Sequence, residues 1–179
     1  MILELVNDGI FAAIAAVGFG SISYPPKRAF KYIALLAAIG HALRFYLMHY
    51  LSMDIATASF FGSLLIGVAA LWFGKVSHCP LTVLYIPALL PMIPGIYAYK
   101  SVFALVMLLN SLENQELAQQ YVHEFMLNCT VTVSVVFMLA VGATSMIFLF
   151  PKKAYSMTRK NRIFVARKNE DGKITGFTE

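Results

Sequence analysis

Five apolar runs of about 20 residues each are separated by short polar stretches, and that is the length an α-helix needs to cross a hydrocarbon core about 30 Å thick. Lipid offers no water to an orphaned backbone group, so such runs must close their hydrogen bonds internally as helices. The runs cover about 3–24, 30–50, 55–73, 81–110 and 125–150. The predicted fold is an all-α, multi-pass integral membrane protein of about five transmembrane helices, a transmembrane domain over 1–151 followed by a basic tail at 152–179. Only 13% of residues are charged, against about 25% in a soluble domain, which supports the bilayer over water as the solvent. The first run carries Glu4 and Asp8 where a signal peptide would be basic, and is expected to be a retained span.

The fourth run is interrupted. It reads LTVLYIPALLPMIPGIYAYKSVFALVMLLN, with Pro87, Pro91 and Pro94 at spacings of four and three and Gly95 directly after. Each interior proline removes a donor and crowds the carbonyl four residues back, at about 3 kcal/mol in an ordinary helix interior. In lipid such a break is tolerable only where protein or a wet cavity covers the freed carbonyls. Discontinuous helices of this type often hold the binding site in transporters, whereas a single proline kink is common in any membrane helix.

Charge orients the spans. Placing the tail in the cytoplasm puts Lys152, Lys153, Arg159, Lys160, Arg162, Arg167, Lys168 and Lys173 inside, and five crossings then put the amino terminus outside. On that choice Lys27, Arg28, Lys31 and Lys75 are also inside, while Glu4, Asp8, Asp54, Glu113, Glu116 and Glu124 are outside. The connections hold the expected punctuation: Pro25 and Pro26, Ser52 to Asp54, Gly74 to Pro80, and the polar run SLENQELAQQYVHE.

Two cations are left within spans, Arg44 and Lys100. An arginine in the hydrocarbon costs at least a few kcal/mol unless it is paired or faces water. Arg44 could clamp a carboxylate with its planar fork, or snorkel outward, or pair with Asp8 or Asp54 for structure. His41 is one turn earlier on the same face, as proton shuttle or hydrogen-bonding strut, and Gly40 leaves space for a partner or ligand beside the guanidinium. Lys100 follows the break by one to two turns, where a half-helix beginning near Gly95 would point its positive dipole end at an anion. Asp8 is either a coupling carboxylate or the counter-ion of Arg44.

Ala12, Ala16 and Gly20, and likewise Ser59, Ser63 and Gly67, recur every four residues as small-residue stripes for close helix contact. Asn128, Thr130, Thr132 and Ser134 make the outer half of the last span polar, which suits interhelical hydrogen bonds. Cys79 and Cys129 are far apart and towards opposite membrane faces, so neither a disulfide nor a metal site is expected. No HExxH, glycine-rich phosphate loop, CxxC pair or activated nucleophile is present, so the chain reads as a non-enzyme with no cofactor. Its net charge of +5 reflects membrane topology rather than a nucleic-acid partner.

The segments AAIAAVGFG (12–20), AIGHALRFYLM (38–48) and LLPMIPGIYAY (89–99), in this order, resemble the small membrane subunits of the threonine/serine exporter family. The resemblance covers roughly residues 1 to 152 and is greatest to short five-span bacterial subunits that work with a second membrane subunit in succinate export. It implies an inner-membrane subunit of a small-carboxylate exporter, with Gly40, His41, Arg44, Pro91, Pro94 and Gly95 as the motif residues. Lys100 departs from the small uncharged residue expected there, and the tail from Ala154 onward lies outside the resemblance. That tail suits anionic lipid at the cytoplasmic surface, either as a solvated segment or as a small hairpin turning around Asn169 to Gly172. A C4-dicarboxylate such as succinate is the first substrate expectation, with Arg44 and Lys100 offering two positive charges. Threonine or serine is the second, with Asp8 accepting the ammonium, and a non-transporting scaffold for a partner subunit is a third of a different kind.

Overall fold

The computed structural model describes residues 2–150, 165–168 and 174–178. Six α-helices follow in order: α1 (Ile2–Ser21), α2 (Phe30–Tyr50) entered through a 3₁₀ turn at Lys27–Ala29, α3 (Ile55–Ser77), α4 (Leu81–Leu89) prolonged by a 3₁₀ turn at Leu90–Met92, α5 (Gly95–Asn110) and α6 (Gln115–Leu149). Helices α1, α2, α3 and α6 are each long and apolar enough to cross a membrane, and α4 with its turn pairs with α5 across a 57° bend. The result is the expected all-α membrane fold, with four unbroken candidate spans and a fifth where the bent α4–α5 pair crosses as one.

Helix ends follow local chemistry. α1 stops at Ser21, three residues short of the apolar run, where the chain passes through Tyr24 at a φ of 47° ahead of Pro25 and Pro26. α3 runs on to Ser77 and ends on His78 in the left-handed conformation. α6 begins ten residues before the expected start at Phe125, so only the beginning of the polar run SLENQELAQQYVHE is a connection. Asn114 caps the helix, its side-chain oxygen accepting from the Leu117 amide at 3.3 Å, and Glu116 faces the positive end of the dipole. Polarity in this run argues against hydrocarbon, not against a helix, since water can solvate the side chains of a helix that extends beyond the membrane.

Neighbouring helices pack α1 on α2, α2 on α3, α3 on α6 and α5 on α6, while α4 fills the space among α1, α2 and α3. Ile33, Leu36, Ile66, Leu84, Met92 and Val135 are fully buried in the core they share. The small-residue stripes are at these contacts. A Cβ on Gly67 would be 3.1 Å from the Ala143 carbonyl, and one on Gly142 would overlap the Ser63 hydroxyl, so α3 and α6 meet almost backbone to backbone. Ala12, Ala16 and Gly20 are buried on α1, and Gly20 faces Ile33 and Pro87. Large apolar side chains such as Phe11, Ile14, Trp72, Val102 and Phe137 are exposed, as suits surfaces solvated by lipid tails.

Two short strands, β1 (Val165–Lys168) and β2 (Ile174–Thr178), pair antiparallel with Val165 opposite Thr178 and Lys168 opposite Ile174. The hairpin alternative for the tail agrees with this pairing. Its turn at 169–172 lies outside the described residues, and so do Lys152, Lys153, Arg159, Lys160, Arg162 and Lys173.

Candidate functional site

The break between α4 and α5 creates a defined set of unpaired carbonyls. Pro94 has no N–H to return to Pro91 or Leu90, and its φ of −79° and ψ of 70° form an inverse γ-turn in which the Gly95 amide donates to the Ile93 carbonyl at 2.8 Å. Leu90 recovers a donor from the Ile93 amide at 3.1 Å. The carbonyls of Pro91 and Met92 are left facing α2, and α2 supplies donors to both.

Arg44 donates from Nη1 to the Met92 carbonyl at 2.6 Å. His41 places Nε2 3.2 Å from the Pro91 carbonyl and Nδ1 2.6 Å from Asp8 Oδ2. The spacing of three residues sets His41 and Arg44 on one face of α2, so a single helix face spans both open carbonyls. A hydrogen bond from a charged donor is worth about 1.5–3 kcal/mol, which goes some way to offset the cost of placing a guanidinium in the membrane. Asp8 and Tyr97 of α5 both lie near enough to act electrostatically on Arg44.

Close helix approach sets this geometry. A Cβ on Gly9 would come 3.3 Å from the Ala38 carbonyl, so α1 rests on α2 beside Asp8 and brings that carboxylate to His41. A Cβ on Gly62 would be 2.6 Å from the Met92 methyl and 3.5 Å from Arg44 Cβ, so α3 closes the other side. The space expected beside the guanidinium at Gly40 is taken by α3 instead: a Cβ there would meet Ile66 Cγ1 at 2.5 Å. Gly40 makes room for a helix rather than for a ligand.

Asp8, His41, Arg44 and Pro91 are thus brought together, with Pro94 and Gly95 shaping the turn they face. Among the described residues the ion pair of Asp8 is with His41 rather than directly with Arg44. Lys100 is placed differently. It is exposed and lines a groove of about 510 Å³ with Tyr99, Phe103, Glu124 and Asn128, between α5 and α6. The expected interhelical role of the polar outer half of α6 is not what Asn128 and Thr132 do: they donate back to the carbonyls of Glu124 and Asn128 on their own helix, at 2.7 and 2.8 Å. Sequence reading missed Met92, whose backbone rather than side chain takes part, and Gly62, whose closeness to Arg44 carries no periodic signal.

Residues 8–149 match the family described as "Threonine/Serine exporter, ThrE". A Haemophilus influenzae protein described as "Uncharacterized protein" is 35% identical over 138 residues, a match covering 77% of this chain and 46% of the relative. The chain spans about half the length of the relative it matches. No solved structure is significantly similar to it.

Proposed function

The chain belongs to the threonine/serine exporter family, and from that premise we propose that it is an inner-membrane subunit of a two-component exporter of small carboxylates, acting with a second membrane subunit. The observation that carries this reading is the meeting of Arg44, His41 and Asp8 at the broken span, where unwound backbone and opposite charges share one place in the membrane. Its orientation is the one the cations favour, amino terminus outside and tail in the cytoplasm.

Arg44 has five donors and spends one on Met92, leaving others for a carboxylate. Asp8, close by and of opposite charge, suits an ammonium. One cation beside one anion matches an α-amino acid better than a dicarboxylate, so threonine or serine is the substrate class this geometry favours. Succinate would call on Arg44 and Lys100 together, and Lys100 lines the α5–α6 groove beside Glu124. A dicarboxylate remains the reading in which that groove is part of the path.

Efflux of labelled threonine and labelled succinate from cells expressing the chain, with and without its partner subunit, tests the proposal. Arg44→Gln is expected to lower threonine efflux about tenfold or more, from the loss of a charged hydrogen bond worth about 1.5–3 kcal/mol. Lys100→Thr is expected to leave threonine efflux unchanged, and loss of succinate efflux in that variant would favour the dicarboxylate. If Arg44→Gln assembles with its partner and exports normally, the subunit is a scaffold and the transport reading fails.

A further inference from the structure

His41 has an acceptor at each ring nitrogen: the Asp8 carboxylate at Nδ1 and the Pro91 carbonyl at Nε2. A neutral imidazole carries one N–H and can donate only once. Both contacts are satisfied together in two ways. The ring is an imidazolium facing a carboxylate, or a carboxylic acid donates to Nδ1 while Nε2–H donates to Pro91. The two arrangements hold the same number of protons, one more than a carboxylate beside a neutral ring.

We propose that Asp8 and His41 together form a proton-binding site whose occupancy ties the broken span to α2, and whose emptying unties it. The proposal rests on the reading of this cluster as part of the transport path. When the pair gives up its proton, one N–H remains for two acceptors. A bond to a charged acceptor is roughly twice as strong as one to a neutral carbonyl, so that N–H stays with Asp8. The bare Nε2 then meets the Pro91 carbonyl lone pair to lone pair, and the contact opens. The proton that leaves is the one on Nε2, and the ring, 18% exposed, is not sealed from its surroundings. Arg44 keeps its own bond to Met92, so the two open carbonyls are held by different means, one by a permanent charge and one by a removable proton.

The elements packed around the pair carry few other titratable groups. Glu4 is one turn before Asp8 on α1, Arg44 is one turn after His41 on α2, Tyr85 is on α4, and Tyr97 on α5 lies near Arg44. The break from Ile86 to Gly95, and α3 from Ile55 to Gly74, contain no titratable side chain.

The full chain in lipid nanodiscs, labelled with ¹⁵N-histidine, reads the protonation of each ring nitrogen, the His41 signals being those lost in His41→Asn. Spin labels at positions 50 and 110, with Cys79 and Cys129 replaced by alanine, read the separation of the outer ends of α2 and α5. As pH is raised across the range in which the protein stays folded, Nε2 is expected to lose its proton over the same interval in which the label distance shifts. In Asp8→Asn the amide donates to Nδ1 and Nε2–H stays on Pro91, so the distance is expected to remain at its acid-side value throughout. An Nε2 that keeps its proton across the range, a proton lost with no change in distance, or a wild-type response in Asp8→Asn would each overturn the proposal. None of these readouts measures flux. A normal pH response without efflux removes the export reading and leaves the proton site, whereas efflux without a pH response removes the proton site alone.

Discussion

A single methyl group is enough to separate α3 from α6. At Gly142 it would overlap the Ser63 hydroxyl and approach the Phe60 carbonyl to 2.7 Å, and backbone cannot swing aside as a side chain can. Gly142→Ala is expected to destabilise the protein by about 1–3 kcal/mol, the usual cost of overpacking, and to lower its thermal melting point in detergent. Gly18 has nothing within 4 Å of where its Cβ would be, so Gly18→Ala should be neutral or stabilising by up to about 1 kcal/mol. Equal melting points for the two variants would refute this account of the α3–α6 contact. The Ser59, Ser63 and Gly67 stripe showed where α3 would be approached closely, because small residues at a spacing of four make a visible pattern. Gly62 and Met92 were not legible, since one acts by lacking a side chain and the other through a carbonyl that every residue has.

At the scale of the element, α3 depends on its first turn. Asp54 accepts from the Thr57 hydroxyl at 2.5 Å and from the Thr57 amide at 2.9 Å, and these bonds, the hydroxyl first, hold its carboxyl below the usual carboxylate range. A depressed folded value means the capping contribution is fully present above the unfolded pKa and is lost as pH falls through the folded one. Asp54→Ala is expected to cost about 1 kcal/mol at neutral pH, a difference from wild type that shrinks on acidification. Asp54→Asn should keep most of the cap and remove that pH dependence, and melting curves at neutral and acid pH distinguish the three proteins. The same balance of local bonds made helix ends hard to foresee. An Asx cap at Asn114 starts α6 inside a run whose polarity marked it as a connection, whereas the prolines of the fourth run announced their break by removing donors outright.

For the molecule as a whole, the membrane-spanning helices were legible because lipid leaves so few backbone solutions, and the pairing of helices was less so because apolar side chains alone do not choose partners. α6 is 35 residues long, about 52 Å at 1.5 Å per residue, against a hydrocarbon core of about 30 Å. Its capped end therefore extends well past the lipid, and a cysteine placed at Glu116 is expected to react with an impermeant reagent added from outside; reaction only after lysis would invert the topology. The bend at Pro94 has a mechanical side as well. α5 is a rod of 16 residues, about 24 Å, that starts at a γ-turn and packs mainly on α6. Rotating it by about 10° about that turn would sweep its far tip through about 4 Å, more than the width of a water molecule, so a displacement too small to notice at the turn would be a large one at the tip.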